Sequence, residues 1–151
     1  MQATPLQMAV VAAAVGQGRV VTPRLLLELD GRAAEKRPGP ELGVRLDRLR
    51  AGMKGVVDGG TAAGAFRGKE FDVLRPGLFG KTGTAPSGAD GQGTVWFMGW
   101  LEPGSLPGQT RRLAFAAFVS HSELTGGAHA APVVAALLRA MAAQSLDKKG
   151  N

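Results

Sequence analysis

The sequence predicts an α+β fold, and three observations carry that prediction. Apolar residues recur at helical spacing early in the chain and again at its end. Short runs of β-forming residues lie between them, and Gly or Pro punctuates the junctions. With 151 residues, 44% hydrophobic and 20% charged, the chain has apolar material for one domain or a portion of one, and too much for a disordered tail. Its 23 glycines, about twice ordinary usage, predict frequent turns and close backbone approaches. The absence of cysteine rules out disulfides, thiolate metal sites and cysteine nucleophiles.

Thr4-Pro5-Leu6-Gln7 reads as a helix start, with Thr4 as cap, Pro5 at the first helical position and Gln7 closing a capping box. This helix is expected to run to about Val15 and stop at Gly16 or Gly18. Apolar residues cover nearly its whole circumference, which predicts burial on several sides. Val20 to Leu29 is β-branched and apolar but broken by Pro23, so it is extended or only partly strand. Asp30 to Pro40 has the composition of a surface loop. From Gly43 to Asp58 the helical period returns, with Leu46, Leu49, Met53, Val56 and Val57 on one face and Arg45, Asp47, Arg48 and Lys54 on the other. Gly59-Gly60 ends it, and Thr61 to Phe66 is a turn of small residues.

Three strands are expected next: Leu78–Ala85, Thr94–Leu101 and Leu113–Ser120. The Gly/Ser segment before Thr94 supplies a long hairpin loop. The third run is continuously apolar, as in a strand buried on both faces. A last helix begins near Pro132 with Val133, Val134, Leu137, Leu138 and Met141 as its apolar stripe, and the polar end from Leu146 frays. The sheet is thus an antiparallel meander closed by a C-terminal helix.

The formal charge of +6 and pI near 10.5 raise nucleic acid as a partner. The basic residues are scattered, however, and no tryptophan sits in a basic run, so no nucleic acid is expected. No apolar run is long enough to cross a bilayer. Met8–Val15 resembles the centre of a signal peptide, but no Lys or Arg precedes Arg19, so neither signal nor anchor is expected in this chain.

Gly80-Lys81-Thr82-Gly83-Thr84 is the segment richest in chemistry. As a phosphate loop it fails: Arg75 stands where the first glycine belongs, and Ala85-Pro86-Ser87-Gly88 opens no helix to hold phosphates. A nucleotide-binding protein using Lys81 is the reading this leaves weakest. As an edge strand beside a cleft the segment makes better sense. Lys81 offers a positive charge to a carboxylate, Thr82 and Thr84 offer hydroxyls, and Gly83 lets a peptide lie against the backbone. A backbone N–H there can face an oxyanion. His121 and His129, with Ser120, Ser122 and Glu123 near the first, lack the spacing of a hydrolytic triad or a metal site, so no metal and no cofactor are expected. Trp96, Phe97 and Trp100 read as strand packing.

The neighbours of that segment give it a context. Ala3–Ala9 (ATPLQMA), Leu49–Asp58 (LRAGMKGVVD) with Gly60-Thr61-Ala62, Gly80–Ala85 (GKTGTA), Trp96–Trp100 (WFMGW) and Ala130–Val133 (AAPV) occur in order. In that order they resemble the transpeptidase domain of penicillin-binding proteins over nearly the whole chain, closer to the monofunctional, class B type than to the bifunctional one. The resemblance implies a partial serine β-lactamase/transpeptidase-like fold: the last three strands of a five-stranded antiparallel sheet, the closing helix and part of an all-helical region. It also implies a D,D-transpeptidase of the cell envelope, on the periplasmic side of the inner membrane, acting on peptidoglycan stem peptides ending in D-Ala–D-Ala and acylated by β-lactams. Lys81 is then the catalytic residue matched by the motif, with Thr82, Gly83 and Thr84 binding substrate.

The family also needs S-x-x-K and S-x-N, which carry its nucleophile and a proton-shuttling serine, both N-terminal to the ATPLQMA block. No S-x-N occurs, and the one literal S-x-x-K, Ser145–Lys148, falls in the polar tail beyond the expected last helix. Residues 1–146 are therefore expected to be the C-terminal portion of such a domain, with 147–151 a tail. That portion would be inactive alone and need the N-terminal half as partner. A gene fragment, a split gene and a misplaced start all fit. The third strand, lacking its family neighbour, would present an open apolar edge. A non-catalytic module that binds stem peptide or β-lactam is the alternative.

Overall fold

Thr4 opens the first helix as its sequence predicts. In the computed structural model, which describes residues 3–25, 28–29, 31–33, 38–86, 93–123 and 125–147, α1 spans Pro5–Gln17. The Thr4 hydroxyl accepts from the Gln7 N–H at 3.2 Å and the Gln7 side chain accepts from the Thr4 N–H at 2.8 Å, a complete capping box. The helix passes through Gly16 and stops at Gly18, whose φ of 75° suits glycine. Gly16 is a contact, not a stop: a Cβ there would lie 3.0 Å from the Trp100 ring and 2.9 Å from Arg112 Cδ. Arg50 closes the end of α1, its guanidinium donating to the carbonyls of Val15 (3.0 Å) and Gly16 (3.2 Å).

Burial of α1 on several sides does not hold. Only Ala12 and Gly16 are buried, while Leu6 and Val11 are nearly half exposed. A helix whose small residues press on one sheet face, with nothing described on its far side, leaves its other apolar residues bare.

The excursion from Val20 to Glu41 is pinned at its base, where the Val20 N–H donates to the Pro40 carbonyl (2.9 Å) and the Leu42 N–H to Gly18 (3.0 Å). Among the described residues of the expected extended stretch, Glu28–Leu29 is strand. β1 (Glu28–Leu29) pairs with β2 (Arg32–Ala33), a two-residue ribbon where a loop was expected. Residues 34–37 of that loop lie outside the described residues. α2 spans Asp47–Asp58, starting later than Gly43 because that glycine holds a left-handed φ of 66°. Met53 and Val57 are buried as expected, but Leu49 is exposed. Lys54, on the polar face of α2, pairs with Asp58, donates to the Arg75 carbonyl at 2.7 Å and lies 6.0 Å from the Phe79 ring centroid.

β3 (Leu78–Pro86), β4 (Gly93–Leu101) and β5 (Leu113–Ser122) form an antiparallel sheet in the order β3-β4-β5. The expected hairpin loop at 87–92 lies outside the described residues. Register places Lys81 opposite Met98, Gly83 opposite Trp96 and Phe79 opposite Trp100, so these side chains share a face. α1 covers that face over β4 and β5. The other face, with Leu78, Val95, Phe97, Leu101 and Phe115, is closed by α3 (Ala130–Asp147) through Val134 and Leu138 and by the 3₁₀ turn Ala63–Phe66. Phe66, Phe97 and Phe115 are stacked or tilted against one another at 5.7 Å.

Two expectations at the C-terminal side change. β5 is not buried on both faces: among its described residues only Phe115 and Ser122 are, and Phe118 is 46% exposed. As the outer strand, with β4 its only strand neighbour among the described residues, β5 has one side uncovered. α3 begins two residues before Pro132 and continues to Asp147, so Ser145 belongs to the helix and not to a tail beyond it. Ala, Gln and Leu there are good helix formers, and no Gly or Pro intervenes before Gly150.

Candidate active site

The pleat of β3 sorts its motif onto two sides. Leu78 and Gly80 face the core, where a Cβ on Gly80 would come within 2.3 Å of the Phe97 ring. Phe79, Lys81 and Gly83 face the α1 side. Phe79 lies flat on Trp100, centroids 4.7 Å apart and planes within 7°. Beyond this stack a groove of about 370 Å³ opens along β3. Lys81, Thr82, Gly83, Thr84 and Ala85 form one wall, Met98 and Trp96 extend it across β4, and Ala3 and Met8 enter from the start of α1. The four residues singled out from the sequence therefore line one groove.

Lys81 carries the only charge among the groove's described lining residues. Its ammonium folds back to donate to the Thr82 carbonyl, a neutral acceptor that a carboxylate can displace. Thr82 Oγ1 lies 2.7 Å from Thr61 Oγ1, and Thr61 comes from the turn after α2. At Gly83 a Cβ would make only an ordinary 3.5 Å contact with Trp96, so this face of the strand is open to a flat ligand. Trp96 is held in turn by stacking on Phe118 at 5.0 Å. A cation, adjacent hydroxyls, an accessible strand backbone and an apolar floor can bind a peptide carboxylate with its chain extended along β3.

Several groove residues went unsingled in the sequence. Trp96 is part of the wall as well as strand packing. Its alternation with Met98 places both on one face, but only the β3–β4 register puts them beside Lys81. Met8 was legible only as a helix residue. Thr61 served as a landmark in Gly60-Thr61-Ala62, and its approach to Thr82 is a long-range contact that no spacing encodes. The histidines stand elsewhere. Ser122 Oγ is 2.7 Å from His129 Nδ1, and neither histidine is among the groove's described lining residues. This contact ties the end of β5 to the turn before α3.

No helix among the described residues is long and apolar enough to cross a membrane. No curated protein and no solved structure matches the chain. The family model for the penicillin binding protein transpeptidase domain matches residues 1–139, taking in α1, the whole sheet and the first half of α3. With that match covering most of its length, the chain belongs to the penicillin-binding protein transpeptidase domain family.

Proposed function

We propose that this chain carries the substrate-binding strand of a peptidoglycan D,D-transpeptidase and contains no nucleophile of its own. The observation that supports this most is the grouping of Lys81, Thr82, Gly83 and Thr84 on the wall of one groove. In this reading the Lys81 ammonium draws in the carboxylate of a stem peptide ending in D-Ala–D-Ala, and the Thr82 and Thr84 hydroxyls donate to it. Gly83 lets the peptide backbone approach. The serine hydroxyl that attacks the penultimate D-Ala carbonyl comes from the N-terminal half of the domain. The terminal D-Ala leaves and an acyl-enzyme remains. Lys81 supports the proton network of that step, and the Thr84 N–H donates to the oxyanion. A β-lactam is taken in the same way. The uncovered side of β5 and the bare face of α1 are where the N-terminal half docks, and the site works at the periplasmic side of the inner membrane.

Ser145 takes no part: it sits near the end of α3, and α3 contributes nothing to the groove's described lining. The isolated chain is therefore expected to show no covalent labelling by a fluorescent penicillin, and stable labelling would overturn this reading. Addition of a polypeptide carrying S-x-x-K and S-x-N is expected to restore it. A second reading, a non-catalytic module for stem peptide or β-lactam, rests on the same groove, where Lys81, Thr82, Gly83 and Thr84 share one wall. It predicts that a D-Ala–D-Ala peptide binds the isolated chain and that Lys81→Ala abolishes binding.

A further inference from the structure

We infer that Thr61 is a positioning residue for ligand carboxylates, setting the direction in which the Thr82 hydroxyl donates. This rests on the groove being a carboxylate site, as proposed above. Two hydroxyl oxygens 2.7 Å apart share one proton between them, and each hydroxyl has a single proton to give. If Thr82 gives its proton to a carboxylate, Thr61 must be the donor to Thr82. The chain then runs Thr61 O–H to Thr82 Oγ1, and Thr82 O–H to the carboxylate, each bond polarising the next. With no anion bound, either direction serves. A bound carboxylate selects one.

The fold holds Thr61 where this can happen. Thr61 sits in the turn between α2 and the Ala63–Phe66 helix, anchored by the Ala62 N–H donating to Val56 at 3.0 Å. From the other side, the glycine pair before α3 presses against it. A Cβ on Gly127 would lie 1.8 Å from the Thr61 carbonyl oxygen, and one on Gly126 would lie 2.6 Å from the Gly83 carbonyl and 2.4 Å from that of Trp96. Gly126-Gly127 is thus a brace touching both Thr61 and the middle of β3, and only glycine fits there. The Ser122–His129 contact closes the same turn. Three distant segments of sequence therefore meet behind Thr82, and one of them brings a hydroxyl to it.

The test uses the chain as it stands, titrated with N-acetyl-D-Ala-D-Ala and read by the methyl resonance of Met98 in the groove wall, with Tm recorded for every variant. Thr61→Val is expected to weaken binding about threefold to tenfold, the worth of one hydrogen bond. Thr61→Ser is expected to restore it to within about twofold, with Tm unchanged across the set. In a Thr82→Val background the Thr61→Val effect is expected to vanish, because Thr61 acts only through Thr82. If the valine chain unfolds, Thr61→Ala carries the same comparison. Wild-type binding with no change in Thr61→Val, or an equal loss with and without Thr82, overturns the role of Thr61 and leaves the carboxylate site standing. Absence of binding by the wild type overturns the carboxylate site itself.

Discussion

β3 and β5 are both outer strands of the same sheet, and they differ in everything except that position. β3 runs from bulky Leu78 and Phe79 into small and polar residues, has α2 packed beside it and borders the groove. β5 is apolar from Leu113 to Val119, carries no charge, and exposes Phe118. Outer strands are usually protected by Lys, Pro or a covering element. β3 has Lys81 and α2, whereas β5 has no Lys or Pro along its run, and the helices that touch it, α1 and α3, lie on the faces of the sheet. On the function proposed above, one strand receives a small extended ligand and the other is covered. β4 between them ties the two together, with Trp100 gripping Phe79 on one side of the strand and Phe97 holding Phe115 on the other.

Removing the shared support should have the largest effect. Trp100→Ala takes away a fully buried ring that packs on Phe79 and Gly16 and donates to Glu102 at 2.8 Å. It is expected to cost about 3–5 kcal/mol by denaturant unfolding. A loss below about 1 kcal/mol would mean that the two outer strands are held independently. The next test divides β3 against itself. Gly80→Ala drives a methyl into the Phe97 ring, wedged between Phe66 and Phe115, and should cost about 1–3 kcal/mol. Gly83→Ala meets only Trp96 Cβ at 3.5 Å, so stability is expected to stay within about 0.5 kcal/mol while D-Ala–D-Ala peptide binding falls. Equal destabilisation by the two would erase the distinction between packing glycine and site glycine. Phe118→Lys should have a modest effect on stability, about 0.5–1.5 kcal/mol from the lost stack with Trp96. The open side of β5 is expected to make the chain associate as concentration rises in sedimentation velocity, and Phe118→Lys is expected to reduce that association. Unchanged association would show that the open side of β5 is not what brings chains together.

Much of this was legible in the residues. The capping box at Thr4 and Gln7 is local chemistry, satisfied within one turn. The three strands announce themselves because β-forming runs lie between Gly and Pro breaks, and GKTGTA singled out Lys81, Thr82, Gly83 and Thr84. Where the reading failed, the deciding partner was distant. Leu49 obeys the helical period and is still exposed, since period says which side residues share and not what covers it. Lys54 has the composition of a solvated position, but Arg75 and Phe79 come to it from elsewhere in the chain. α1 is apolar nearly all round and is covered on one side only.

By itself, then, the sequence determined the three helices, the three strands of the larger sheet and which tetrapeptide carries a cation, two hydroxyls and an accessible backbone, because these depend on neighbours a few residues apart. Only the tertiary structure decided that Met8, Trp96 and Met98 join Lys81 around one groove, that Thr61 meets Thr82, and that Gly126 and Gly127 brace them from behind. Those contacts span tens of residues, and they are fixed by strand register and by the packing of helices on a sheet, which no local pattern encodes.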